Sequence, residues 1–252
     1  MFSFILKHNC RKKYWSFFIK AYARMVFYAW EAKKPSDRIC LKRSLRQLIK
    51  KKIFIKKLGL DKNIIDRWHN SEILLLGGSA GSFKLLFQVV KALPAGLNKV
   101  VIIVMHRKKN FVSEIEKLFA QNSRMPLKEI SDKDKINKNT IYIAPANYHT
   151  LIEKEGYFGL DVSEALWYSK PSIDVTFESA ADAWRDRCTA ILFSGANQDG
   201  AQGMLKLRDE GSLTIVQHPE DAEMPEMPYS ALNLNAVDYV LRTEEIFELL
   251  NT

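Results

Sequence analysis

The pentapeptide Gly77-Gly78-Ser79-Ala80-Gly81 constrains this chain more than any other stretch. It follows an apolar run, Ile73 to Leu76, and precedes a helix-like stretch, Ser82 to Leu93. A strand that turns sharply through glycines into a helix lifts the residue at its apex above the sheet. It also aims the helix's first unpaired N–H groups at that residue. With serine at the apex, a hydroxyl stands beside donors able to hold an anion, as in a G-x-S-x-G nucleophile turn. The same residues suit a phosphate-cradling loop or an ordinary tight turn, so a nucleophile needs a base and an acid from elsewhere.

Downstream, short apolar runs alternate with amphipathic stretches. Val100–Val104 is β-branched and continuous, as a strand buried on both faces should be. Ile141–Ala144, Ala190–Phe193 and Leu213–Val216 read as further strands, and 149–153 with 157–160 as a hairpin around Gly156. Helices are expected over 112–122, 173–184, 200–210, 229–235 and 243–250. This alternation predicts an α/β fold: a doubly wound, mainly parallel sheet with a small antiparallel hairpin. The chemistry of such sheets lies beyond the C-terminal ends of the strands. Those ends offer Ser79, His106, Asn147 with His149, the loop Gly195 to Gly200, and His218. In a triad, imidazole takes the serine proton, carboxylate orients the imidazole, and backbone N–H groups hold the oxyanion. Each residue also has a plainer use: His106 as a scaffold residue, His149 as a hairpin support, His218 as a surface turn, and Asp199 as a helix cap.

Charge divides the chain. Residues 1–70 carry nineteen Lys and Arg against four acids, whereas residues 71–252 carry nineteen against twenty-five. The expected organisation is therefore a basic helical extension over 1–70 and a mildly acidic body over 71–252. The extension interleaves cations with Tyr14, Trp15, Phe17, Phe18, Tyr22, Phe27, Tyr28 and Trp30. A helix of that kind can lie on an anionic membrane surface or follow a nucleic-acid backbone, and no nucleic-acid motif supports the second. A loosely ordered extension is the third reading. Cys10, Cys40 and Cys188 form no C-x-x-C pair, which argues against a disulfide framework or zinc knuckle and for a reducing cytoplasm. No run of eighteen apolar residues is present. No residue pair has helical metal-ligand spacing, and no metal or cofactor is expected.

From residue 71 to about 245 the chain resembles the catalytic domain of the CheB-type protein-glutamate methylesterases. Six motifs carry the likeness in order: Gly77–Gly81; His106 with Asn110-Phe111; Ile143-Ala144-Pro145 with His149; Lys170 to Val175; Ser194-Gly195 through Asp199-Gly200-Ala201 to Gly203-Met204; and Met227-Pro228 with Ala231. No one motif is specific, but their collinear order is. The resemblance implies Ser79 as nucleophile, His106 as base and Asp199 as orienting acid, with Ala80, Ala196 and Asn197 around the oxyanion pocket. It implies hydrolysis of glutamyl methyl esters on chemoreceptor-like proteins, deamidation of some glutamines, and no cofactor. The chain departs from the family pattern at Arg107-Lys108-Lys109, at Gly81-Ser82 and at Ala196-Asn197. Residues 1–70 show neither β-α alternation nor an acidic magnesium site. The family's receiver domain is therefore expected to be missing here, leaving the chain constitutively active or controlled by a separate partner that uses the basic arm; a methyltransferase and a separate response regulator are the candidate partners.

Two rivals stand beside this reading. A generic α/β-hydrolase places its residues in the order Ser, acid, His, and would use Ser79, Asp199 and His218. An inactive scaffold or adaptor would keep the fold and bind through the basic arm. Nucleotide binding comes last, since G-x-G-x-x-G and a Walker lysine are both missing.

Overall fold

The computed structural model describes residues 57–58, 60–106 and 115–252. The basic aromatic arm before residue 57, Arg107-Lys108-Lys109, Asn110-Phe111 and the start of the helix expected from residue 112 lie outside the described residues.

Ten strands and seven helices are described. The strands are β1 (Lys57–Leu58), β2 (Ile73–Gly78), β3 (Val100–Met105), β4 (Leu127–Glu129), β5 (Thr140–Ile143), β6 (His149–Ile152), β7 (Phe158–Asp161), β8 (Cys188–Leu192), β9 (Leu213–Gln217) and β10 (Tyr239–Leu241). The helices are α1 (Lys62–Asn70), α2 (Phe83–Ala92), α3 (Ile115–Asn122), α4 (Ile173–Trp184), α5 (Ala201–Asp209), α6 (Glu226–Asn233) and α7 (Thr243–Leu250).

Eight strands form one sheet in the order β1-β10-β9-β8-β2-β3-β5-β4, and every pairing in it is parallel. β6 and β7 pair antiparallel as a separate hairpin. The fold is thus the doubly wound α/β sheet expected from the alternation of elements. From β2 the chain winds outward through β3 to β5, then returns to β8 and winds the other way. The reversal between β2 and β8 is where such sheets open a crevice at their strand ends.

Side chains alternate across the central strands. Leu74 and Leu76 join a buried cluster with Ile64 and Trp68 of α1, Leu86 and Val89 of α2, Phe119 of α3 and Ile246 of α7. The opposite face meets α4, where a Cβ added to Gly77 would lie 2.7 Å from Ile173 Cγ2 and 3.0 Å from the Phe177 ring. Both faces are therefore covered, which is why β2 and β3 are apolar throughout and buried at every position.

The body reaches further back than the boundary drawn at residue 70. One compact unit comprises Ile53–Thr252. Within it Asp61 caps α1 by accepting from Ile64 N at 3.0 Å, and α1 buries Ile64 and Trp68 completely enough to belong to the core. Charge composition marked residues 1–70 as one segment, but core membership depends on two apolar side chains one helical turn apart. α6 likewise begins at Glu226, three residues ahead of the expected start at Tyr229. Pro228 is tolerated there because first-turn N–H groups need no intrahelical acceptor.

α4 and α5 pack against each other at Gly203. A Cβ there would lie 2.5 Å from Phe177 Cβ and 3.1 Å from Asp174 O. Gly203→Ala gains about 1 kcal/mol of helix propensity. The wedge it drives between the helices costs about 1–3 kcal/mol. The net effect should be a lower urea midpoint and a thermal midpoint reduced by several degrees; an unchanged midpoint would mean that the helices separate freely.

Candidate active site

Ser79 follows β2, His106 follows β3, and the loop Phe193 to Gly200 follows β8. β2 lies between the other two, in register Gly78↔Met105 with β3 and Gly77↔Leu192 with β8. Ser79 thus emerges from the middle strand with His106 from one neighbour and the Asp199 loop from the other.

The serine turn is pinned from two sides. Ser79 N–H donates to Ser194 O at 2.9 Å, and Ser194 Oγ donates to Ala80 O at 2.7 Å. Ser82 donates from Oγ to Ser79 O at 2.7 Å. Ser194 is held in turn by Gln217 Oε1, which accepts from Ser194 N at 3.0 Å. Gly81 has φ +79°, and a Cβ there would lie 2.6 Å from Glu223 Cβ. Conformation and space therefore both require glycine at that position.

Asp199 is fully buried, with 0% exposure. Its Oδ2 bonds His106 Nε2 at 2.7 Å and accepts Ile173 N–H at 2.8 Å. Its Oδ1 accepts Ser172 Oγ at 2.8 Å, Asp174 N–H at 2.9 Å and Gly200 N–H at 3.0 Å. Burial alone would raise its pKa. The bond to His106 and the N–H groups of Asp174 and Ile173 outweigh burial and hold it below the ordinary carboxylate range. Those N–H groups open α4, so the helix dipole acts in the same sense. Nε2 is the ring nitrogen of His106 committed to Asp199.

Asp174 lies beside this carboxylate, accepting Gly203 N–H at 2.8 Å on Oδ1 and Trp167 Nε1–H at 3.2 Å on Oδ2. Burial pushes its pKa up to about 6; the Gly203 N–H opposes the rise and the Asp199 charge adds to it. The folded protein thus binds this proton more tightly than the unfolded chain. Ionising Asp174 as pH rises from about 4 through 6 therefore subtracts stability, by roughly 3 kcal/mol for a shift of about two pH units. In urea titrations, Asp174→Asn should gain on wild type by about that amount between pH 4 and pH 7.5. A difference that does not vary with pH would mean that Asp174 titrates as an ordinary carboxylate.

Not every residue proposed from the sequence converges on this point. His149 is buried beneath it: Nδ1 accepts Ser172 N–H at 3.1 Å, which makes Nε2 the donor to Glu164 O at 2.9 Å. His218 follows β9, two strands from β2, and its Nδ1 accepts Glu220 N–H at 3.2 Å. His106, not His218, is the histidine on Asp199. Ala80 and Ala196 are exposed at the mouth. Asn197 turns back, its Oδ1 accepting Asp199 N–H at 3.3 Å and its Nδ2 donating to Trp167 O at 3.4 Å. Cys188 is buried with its thiol pushed up to about 12 by burial, so it offers no competing nucleophile. Among the described residues no cluster of three His, Cys, Asp or Glu could hold a metal ion, and no helix is long and apolar enough to cross a membrane.

Sequence reasoning did not single out Trp167; it met Ser172 and Ser194 only as members of the family motifs and Gln217 only as a residue at a strand end, and gave none of them a supporting role.

The CheB methylesterase family model matches residues 74–250, most of the described body. The chain belongs to the CheB methylesterase family. A relative in Leptospira interrogans, named a putative protein-glutamate methylesterase/protein-glutamine glutaminase, is 37% identical over 180 residues, covering 71% of this chain and 93% of the relative. A protein-glutamate methylesterase/protein-glutamine glutaminase of Symbiobacterium thermophilum is 30% identical over 71% of this chain, which spans 49% of that longer protein. The CheB methylesterase catalytic domain of Thermotoga maritima superposes with TM-score 0.68 at 26% identity, covering 72% of this chain and 98% of that structure.

Proposed function

We propose that this CheB-family chain is a serine hydrolase that removes methyl esters from glutamate side chains of a methylated chemoreceptor-like protein, with glutamine deamidation as a second activity. The observation that carries the reading is the 2.7 Å bond between His106 and a buried, five-fold hydrogen-bonded Asp199, beside the strand that leads into Ser79. Ser79 Oγ attacks the ester carbonyl while His106 Nδ1 takes its proton. Asp199 fixes the ring and stabilises the imidazolium. The tetrahedral oxyanion draws on backbone N–H groups at Ala80 and in the Ala196–Asn197 stretch. Its collapse breaks the C–O bond, and methanol leaves with the proton from His106. Water then attacks the glutamyl-serine ester, gives a proton to His106, and releases glutamate and Ser79. With a glutamine side chain the same first step expels ammonia and converges on the same acyl-enzyme.

A fluorophosphonate probe tests this reading and separates it from a scaffold. Wild type should gain the probe's mass on Ser79 and release methanol from methyl-labelled receptor. Ser79→Ala should lose the label, and its methanol release should fall by about 10⁴-fold or more. Labelling that persists in Ser79→Ala, or no methanol from wild type, would overturn it. His218→Ala should retain activity, since that histidine serves a turn.

A further inference from the structure

The segment between β7 and α4 leaves four large side chains in solvent: Val162 at 72% exposure, Leu166 at 47%, Trp167 at 43% and Tyr168 at 103%. The segment is tied down at several points. Lys170 Nζ donates to Val162 O at 2.8 Å and also to Ser163 O, and Glu164 O accepts His149 Nε2–H at 2.9 Å. At its tip Ser169 N–H donates to Leu166 O at 2.8 Å, closing a four-residue turn. Both central residues have positive φ, Trp167 at +51° and Tyr168 at +60°. This is the pattern of a type I′ turn, which ordinarily takes Asn-Gly. Two aromatic residues stand where side chains are disfavoured, at a tip with no core to fill. Strain of this kind persists where it serves a site.

The turn is joined to the catalytic loop. The Trp167 indole N–H is bound by Asp174, and its carbonyl accepts Asn197 Nδ2–H, while Asn197 Oδ1 takes the N–H of Asp199. Trp167 is thereby fixed against the acid side of the site, and Tyr168 projects beyond it.

We propose that the Leu166–Ser169 turn is a docking element for the protein substrate, with Tyr168 resting on the surface that flanks the methylated glutamate. This rests on the esterase reading above and adds how the carrier is chosen. A glutamyl methyl ester is small and needs only the Ser79 rim. The exposed rings stand beside the site, where the surface that carries the ester must approach, and rigid aromatic residues give such contacts area at little entropic loss. Trp167 acts as a positioning residue and Tyr168 as the contact.

The test compares two substrates: a peptide bearing one glutamyl γ-methyl ester, and 4-nitrophenyl acetate. Tyr168→Gly preserves, or relaxes, the turn while removing the ring. The ratio of kcat/KM for peptide to kcat/KM for acetate should fall at least tenfold, through KM of the peptide, and Tyr168→Phe should restore most of it. A ratio within twofold of wild type would overturn the docking role. So would a dimer of wild type that Tyr168→Gly converts to monomer with the ratio unchanged, which would assign the turn to self-association. If wild type shows no Ser79-dependent hydrolysis of either substrate, the esterase reading falls first and the docking role with it.

Discussion

A chain beginning at residue 71 should not hold its fold, whereas one beginning at Ile53 should unfold cooperatively in urea. Removing residues up to 70 deletes β1 and α1, and with them Ile64 and Trp68 from the core. Truncating a buried Ile or Trp to Ala costs about 2–5 and 3–5 kcal/mol respectively. A native domain has only about 5–15 kcal/mol in hand. Polar ties go too: Asn63 Nδ2 donates to Tyr239 OH at 2.8 Å, Arg67 pairs with Asp238 at 3.0 Å, and Lys99 Nζ donates to Trp68 O at 2.7 Å. Lys99 would be left buried without that acceptor, adding a desolvation penalty to the cavity. Circular dichroism of the two truncations through a urea series decides the matter; a chain from residue 71 that matched the full-length midpoint would show α1 to be dispensable. Any deletion meant to test the basic arm should therefore stop at residue 52, or loss of activity will report unfolding.

The second large effect belongs to Asp199. Asp199→Ala should lower methanol release by about 10⁴-fold, as expected when imidazole loses the carboxylate that sets its tautomer and orientation. It should also destabilise the protein, by about 1–3 kcal/mol for each buried donor left without its acceptor. The donors left without an acceptor, Ser172 Oγ, Ile173 N and Asp174 N, open α4. Asp199→Asn separates the two roles. It keeps the shape and one acceptor oxygen, so it should recover much of the stability but little of the rate. Were Asp199→Asn as active as wild type, the carboxylate would be a helix cap and not part of the reaction. The pH dependence has a definite sign. A carboxylate held below its ordinary value adds stability above that value, and the contribution disappears only as pH falls through the folded value.

Some elements were legible because their signals are local. Ile173–Trp184 and Thr243–Leu250 were read with the bounds observed, each being an amphipathic run with clear ends. β4 and β1, of three and two residues, were missed because so short a strand has no period to detect. α1 was absorbed into the basic arm because its cations are on the surface while its two core residues are few. Ser82 shows the limit of motif comparison. In the motif comparison it stands in a departure, Gly81-Ser82; in space its hydroxyl closes the serine turn.

Sequence alone determined that this chain folds as a doubly wound α/β sheet, and that a serine, a histidine and an aspartate leave three of its strands at one end. Hydrophobic period and glycine placement are read along the chain, and they dictate which residues turn out of a strand. The family motifs pointed to His106; tertiary structure showed that it, and not His218, meets Asp199, since both follow strands and strand order separates them. It also decided the ionisation of that carboxylate, its ties to Ser172 and the α4 N–H groups, and the link from Trp167 to Asn197. These depend on distances of about 3 Å between segments far apart in the chain, set by sheet register and helix packing. No period or spacing in the sequence encodes them.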